Sequence, residues 1–195
     1  DEITQQVVIS GAEFSEAALA NADGKVWKLA PIAGALKVGD AIGSGGWWQT
    51  SEGDITTRDC AFDDEFIFTT GGNFEYASQG SLWGETWMGV AAEGCTDETA
   101  LASPYDAYAS NDGHSFEVDM SGDKPTIKVS GTGAFIALQK AYNGGELGAG
   151  DSPVSEITYT VQDYAVTDTE ETLTIYVDIS GSGTGFWTFT LTSDK

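Results

Sequence analysis

The strongest constraint on this chain is a two-residue rhythm that breaks and restarts along its length. In Phe62-Asp63-Asp64-Glu65-Phe66-Ile67-Phe68 the aromatic residues fall on even positions, and Phe74 and Tyr76 resume the pattern after Gly71-Gly72. Successive side chains of a strand point to opposite faces, so this spacing predicts a half-buried strand. The Gly-Gly pair reads as a two-residue hairpin turn, since glycine tolerates the positive φ such turns require. His114 to Met120 places Phe116, Val118 and Met120 on one side. Gly122-Asp123-Lys124-Pro125 then turns the chain toward Ile127 and Val129. Further strands are predicted over Phe135–Leu138, through Ile157, Tyr159 and Val161, through Leu173, Ile175, Val177 and Ile179, and through Trp187, Phe189 and Leu191. A short one holds Trp27 and Leu29 before Pro31.

Helical spacing is nearly absent. Only Ala12 to Ala20 fits a turn or two of helix, capped by Ser10 or Ser15. Many short alternating strands with glycine-rich turns predict an all-β fold with antiparallel pairing. The expected architecture is a jelly-roll-like antiparallel β-sandwich, with an up-and-down, lipocalin-like barrel as the alternative. At 195 residues, the chain is read as one domain, 1–195, able to bury a core without a metal.

Charge narrows the partners. Eight Lys+Arg face 31 Asp+Glu, a formal net charge of −23. Nucleic acid is disfavoured, because phosphate binding needs clustered cations. Anionic membranes and polyanionic glycans are disfavoured on the same ground, and excess acidity suits salty water, where charge is screened. No apolar run approaches the ~20 residues of a membrane span. The chain opens at Asp1, which suggests a mature or excised piece once tethered to a lipoprotein anchor or an appended enzyme domain. It is expected to be extracellular or on the outer cell surface, and monomeric. Cys60 and Cys95 are consistent with one disulfide in an oxidising compartment; two buried thiols are the alternative. With His114 the only histidine, soft metal ligation is not expected, whereas a structural Ca²⁺ is compatible with the many oxygen ligands.

Two stretches are long and irregular, Pro31–Thr57 and Gln79–Gly113, and long loops in a compact domain tend to carry function. Four of the six tryptophans lie in them. Trp27 and Trp187 alternate with apolar neighbours and are assigned to the core. Trp47 and Trp48 are adjacent, so an extended chain cannot bury both in one core. Trp83 and Trp87 flank Glu85. Exposed indoles suit the apolar face of a pyranose ring, with loop polar groups left to meet its hydroxyls. The candidate binding set is Trp47, Trp48, Trp83, Trp87, Gln49, Glu85, Lys140 and Asn143, with Asp54 and Arg58 as further hydroxyl partners.

Catalytic signatures are missing. A glycosidase needs two carboxylates across the scissile bond, and Glu85 is the one well-placed acid. Asp63 and Glu65 read as a solvated strand face, with Asp64 on the opposite side as a partner for Arg58. Nothing resembles the Glu-x-Asp-x-x-Glu strand of laminarin-cutting jelly rolls. His114 reads as a surface residue beside a turn, with no nucleophile elbow to serve.

Several segments resemble a module of marine Bacteroidetes found in surface glycan-binding lipoproteins and beside laminarin-degrading catalytic domains. They are Trp27-Lys28-Leu29-Ala30-Pro31 with Gly34 and Gly39, Trp47-Trp48, Cys60 to Phe68, Gly72-Asn73-Phe74, Ala134 to Leu147 and Ile157-Thr158-Tyr159. The likeness covers roughly residues 25–160. It implies non-catalytic binding of an algal glucan, β-1,3-linked laminarin, with Trp47 and Trp48 matching the recurring pair and Trp83 and Trp87 matching loosely. The stretch Cys60 to Phe74 is also similar to lipocalin-like bacterial domains. The competing expectations are a small apolar ligand held inside a barrel, hydrolysis or lyase chemistry through Glu85, and a structural spacer.

Overall fold

The computed structural model describes residues 12–195. One helical turn, α1 (Glu16–Leu19), begins where Ser15 Oγ accepts the Ala18 amide at 3.2 Å. Ser10, the other expected cap, lies outside the described residues. The chain then runs through β1 (Lys25–Leu29), β2 (Leu36–Gly39), β3 (Trp48–Gln49), α2 (Glu52–Thr57), α3 (Asp59–Phe62), β4 (Glu65–Thr69) and β5 (Asn73–Ala77). It continues through β6 (Ser81–Gly84), β7 (Gly94–Asp97), β8 (Asn111–Asp119), β9 (Thr126–Ser130), β10 (Ala141–Tyr142) and β11 (Gly145–Glu146). Three long strands finish it: β12 (Glu156–Val166), β13 (Glu170–Asp178) and β14 (Phe186–Asp194).

Eight of these strands form a closed antiparallel barrel in the order β1-β4-β5-β8-β9-β12-β13-β14, with β14 returning to pair with β1 through Lys28↔Thr192 and Leu29↔Leu191. This corrects the expected jelly-roll sandwich. One sheet closes on itself instead of two packing face to face, and closure removes the unpaired edges an open sheet would present. The alternation predicted along each strand is the same in both architectures. Here its inward face fills the lumen. Trp27, Phe66, Phe68, Phe74, Tyr159 and Phe189 are all fully buried there. Eight strands enclose a lumen just wide enough for side chains, and bulky aromatics occupy it. Phe68 meets Phe74 and Phe116 at 4.9 and 5.1 Å between ring centroids.

The two ends of the barrel differ. At one end β4–β5, β8–β9 and β12–β13 are joined by short turns. The first is a three-residue loop, Thr70-Gly71-Gly72, one residue longer than expected, with both glycines at positive φ. At the other end lie three long insertions, 30–64, 78–110 and 131–155, together with the 179–185 loop. The first insertion extends the sheet, because β2 pairs with β14 and β3 with β2. The second carries the β6–β7 hairpin, and the third the β10–β11 hairpin.

Several local expectations change. Phe135–Leu138 is not a strand. It is a buried plug in the third insertion, held where the Ile136 amide donates to Tyr159 Oη at 2.9 Å and where Phe135 packs on Phe66, Tyr76 and Tyr108. His114 is buried rather than on the surface, stacked on Phe74. Met120 is exposed, lying in the turn just past the end of β8, and Val118 is only partly covered near that end. Asp64 does not meet Arg58; it points inward and accepts the Tyr76 hydroxyl at 2.8 Å. Cys60 and Cys95 form a disulfide that ties α3 to β7, and hence the first insertion to the second. A disulfide of this kind fits folding in an oxidising environment. Among the described residues no helix is long and apolar enough to cross a membrane.

Candidate functional site

The insertions surround a cleft of about 420 Å³ at the long-loop end of the barrel. That size lies within the ~300–1,000 Å³ typical of small-molecule sites. Its buried floor is Trp187, Leu36, Val38 and Leu138. Trp47, Trp48 and Arg58 come from the first insertion, Glu85 and Glu93 from the second, and Lys140 and Glu146 from the third. Four segments far apart in sequence therefore meet at one place, because every second connection of an up-and-down barrel returns to the same end.

The tryptophan pair is set by strand geometry. β3 is two residues long, and Trp48 sits opposite Val38 on β2. Its ring turns toward the barrel and lies 6.0 Å from that of Trp187. Trp47 precedes it, donates its amide to Val38 O at 3.1 Å and is 58% exposed. Its indole overhangs Gly185, where an added Cβ would come within 3.3 Å of the ring. Two adjacent residues, one before β3 and one in it, thus supply one open and one half-buried indole to the same cleft.

Opposite them is a charged cluster. Lys140 Nζ lies 3.3 Å from Glu85 Oε2 and 4.0 Å from Glu146 Oε1, and 5.7 Å from the centre of the Trp187 ring. Each carboxylate also accepts an indole N–H: Trp87 Nε1 to Glu85 Oε2 at 2.7 Å, and Trp187 Nε1 to Glu146 Oε1 at 2.8 Å. The third charged feature is Arg58, whose guanidinium lies over the Trp83 ring at 4.1 Å and the Trp48 ring at 5.1 Å. Asp54 pairs with it at 3.5 Å and is itself held below the usual carboxylate range, chiefly by hydrogen bonds from Ser51.

Of the residues singled out from sequence, Trp47, Trp48, Glu85, Lys140 and Arg58 line this cleft. Trp83 does not. It is buried beneath Arg58, with its Nε1 lacking a hydrogen-bond partner. Trp87 also packs as structure, its ring edge-on to Tyr105 and Tyr108 and its N–H spent on Glu85. Asn143 is occupied by the backbone of Thr158, donating to its carbonyl and accepting its amide. Gln49 is exposed on β3, on the side of Gly34 and Gly45 away from the cleft residues. These corrections share one cause: a loop position in sequence does not tell which face of an ordered insertion a side chain occupies.

Among the cleft residues outside the candidate set, Trp187 and Glu146 shape the site most directly. Trp187 is buried, as its alternation predicts, but it lies at the β14 end where the barrel opens, so its ring forms the floor. Glu146 lies in β11, just past the Asn143-Gly144 turn, and only the folded hairpin carries it to Trp187. Arg58 was named as a hydroxyl partner, yet its place between two indoles had no sequence signal.

For metals, one group of potential ligands is clustered among the described residues: Asp59, Cys60 and Cys95. Its two sulfurs are joined in the disulfide, so neither is available as a thiolate. The Asp178 carboxylate, at the end of β13, accepts hydrogen bonds from Ser180, Gly181 and Gly183 of the following loop. No protein-family model matches the chain, and no curated protein is significantly similar to it.

Proposed function

We propose that this chain is a non-catalytic, secreted or surface-attached binder of a neutral polysaccharide, and that the ligand sits in the cleft bounded by Trp47, Trp48 and Trp187. The observation that carries the reading is the arrangement of those indoles against the Glu85–Lys140–Glu146 cluster. An apolar aromatic surface facing a row of hydrogen-bonding groups matches a sugar ring, which is apolar on its face and polar at its edge. The charge balance of the cleft also disfavours an anionic ligand. Its two cations, Arg58 and Lys140, are outnumbered by Glu85, Glu93 and Glu146. An algal β-1,3-glucan such as laminarin is the preferred ligand, on the family likeness of residues 25–160.

The competing readings have weaker support. A small apolar ligand inside the barrel would need a lumen, and here aromatic side chains occupy it. A hydrolase needs two carboxyl groups placed across the scissile bond. Glu85 and Glu146 are each engaged by an indole N–H and both face the single Lys140 ammonium, Glu85 at 3.3 Å and Glu146 at 4.0 Å.

Affinity electrophoresis against laminarin, a mixed-linkage glucan, a mannan and alginate tests the proposal. Retardation by a neutral glucan, with no new reducing ends after long incubation, is expected. Retardation by alginate alone, or release of reducing sugar, would contradict it.

A further inference from the structure

Arg58 stands apart from the other cations at the cleft. It begins the α3 turn and lines the cleft, with its side chain 18% exposed. Trp48 lies 5.1 Å from its guanidinium carbon and Trp83 lies 4.1 Å from it. Asp54 pairs with Nε at 3.5 Å and fixes the stem. No other protein oxygen among the described residues accepts a hydrogen bond from the two Nη groups. Lys140 differs, because its ammonium already faces two carboxylates.

A planar guanidinium held over aromatic faces loses little freedom when it forms a further bond, and its donors are spaced to meet two oxygens at once. Stacking also presents it edge-on, with its in-plane N–H groups free of the rings. We propose that Arg58 is the specificity-determining hydrogen-bond donor of the cleft, giving its Nη N–H groups to hydroxyl or ring oxygens of a neutral sugar, and that buried Trp83 acts through it as a positioning residue. This rests on the sugar-binding reading of the site. It explains why a tryptophan without access to the cleft lies beneath its wall. It also assigns the discriminating step to a fork of donors rather than to a point charge. A ligand carboxylate would meet the same fork, but in the company of Glu85, Glu93 and Glu146. The oxygens it takes are therefore uncharged.

The test is isothermal titration with laminarin and, separately, with alginate, for the parent, Arg58→Lys, Arg58→Met, Trp83→Phe and Trp47→Ala. Thermal unfolding of each variant checks the fold. A hydrogen bond to a charged donor is worth ~1.5–3 kcal/mol, so Arg58→Met is expected to weaken laminarin binding by roughly ten- to 150-fold. Arg58→Lys should not restore it, because lysine keeps the charge and loses the fork. Trp83→Phe should weaken binding several-fold at an unfolding temperature within a few degrees of the parent's. If Arg58→Lys or Arg58→Met binds laminarin as the parent does while Trp47→Ala is weakened, the inference fails and the site stands. Alginate binding that survives Arg58→Lys would make the residue a simple anion site and overturn the inference. A parent that binds no glucan removes the site assignment and the inference with it.

Discussion

Replacing Asp64 by asparagine should change how stability depends on pH, in a direction the structure fixes. Asp64 is only 1% exposed just before β4, with one hydrogen bond, from Tyr76. Burial pushes its carboxyl up to about 8, the neighbouring charges of Asp63 and Glu98 add to the push, and the Tyr76 hydroxyl opposes it. In the unfolded chain the same group ionises near 3.8. Between those two values the native state holds a proton that the unfolded chain has released. Stability from this group is therefore complete below pH 3.8 and is lost as pH rises toward about 8. Each pH unit in that window costs about 1.4 kcal/mol, and the span from pH 5 to pH 7 about 2.7 kcal/mol. Asparagine keeps an acceptor for Tyr76 and cannot ionise. Urea unfolding followed by tryptophan fluorescence at pH 5, 6, 7 and 8 gives the free energies of both proteins. Repulsion among the many acidic groups is common to both and largely cancels in the difference. The variant should gain on the parent by about 1.4 kcal/mol per unit from pH 5 to pH 7, then level off near pH 8. A difference that stays constant across the range would refute the buried neutral acid.

Other consequences concern the insertions and the plug. Cys60→Ser with Cys95→Ser opens a 35-residue loop, which by chain entropy costs about 4 kcal/mol. Hydrogen exchange should then quicken over residues 52–62 and 81–97 while β13 and β14 stay protected; equal quickening everywhere would contradict a barrel that holds without the tie. Gly133→Ala places a Cβ 2.4 Å from the Ala107 carbonyl oxygen at a residue with φ of +81°. Thermal unfolding should show a loss of about 2–4 kcal/mol. Glu146→Gln leaves Trp187 an acceptor but removes one of the two carboxylates that face Lys140. Laminarin affinity is expected to fall a few-fold, with the unfolding temperature little changed.

Most of the strand content was legible in the sequence, because period-two alternation and glycine turns are local properties. Leu173, Ile175 and Val177 face inward as their spacing requires, and so do Ile157 and Tyr159. Barrel closure was not legible in the same way. It depends on pairing between Lys28–Leu29 and Leu191–Thr192, at opposite ends of the chain, and a sandwich needs the same inward faces. The plug shows a related limit. Phe135–Leu138 is as apolar as a buried strand, yet its backbone turns, with Ala137 at φ 69°, and it packs across the barrel mouth. At the cleft, adjacency alone showed that Trp47 and Trp48 could not both be core. The separation of Trp83, Trp87 and Asn143 from the cleft was not readable, because each is diverted by a partner distant in sequence: Arg58, Tyr105 and Thr158.

The central claim is that the indoles at the open end of the barrel hold sugar, and Trp47 tests it most directly. It is the most exposed tryptophan, so its removal disturbs packing least. Titration of laminarin into the parent and into Trp47→Ala, at equal unfolding temperatures, measures its contribution. A binding anchor predicts a loss of about 1–3 kcal/mol, roughly five- to 150-fold in Kd. Equal affinity of the two proteins for laminarin would contradict the account.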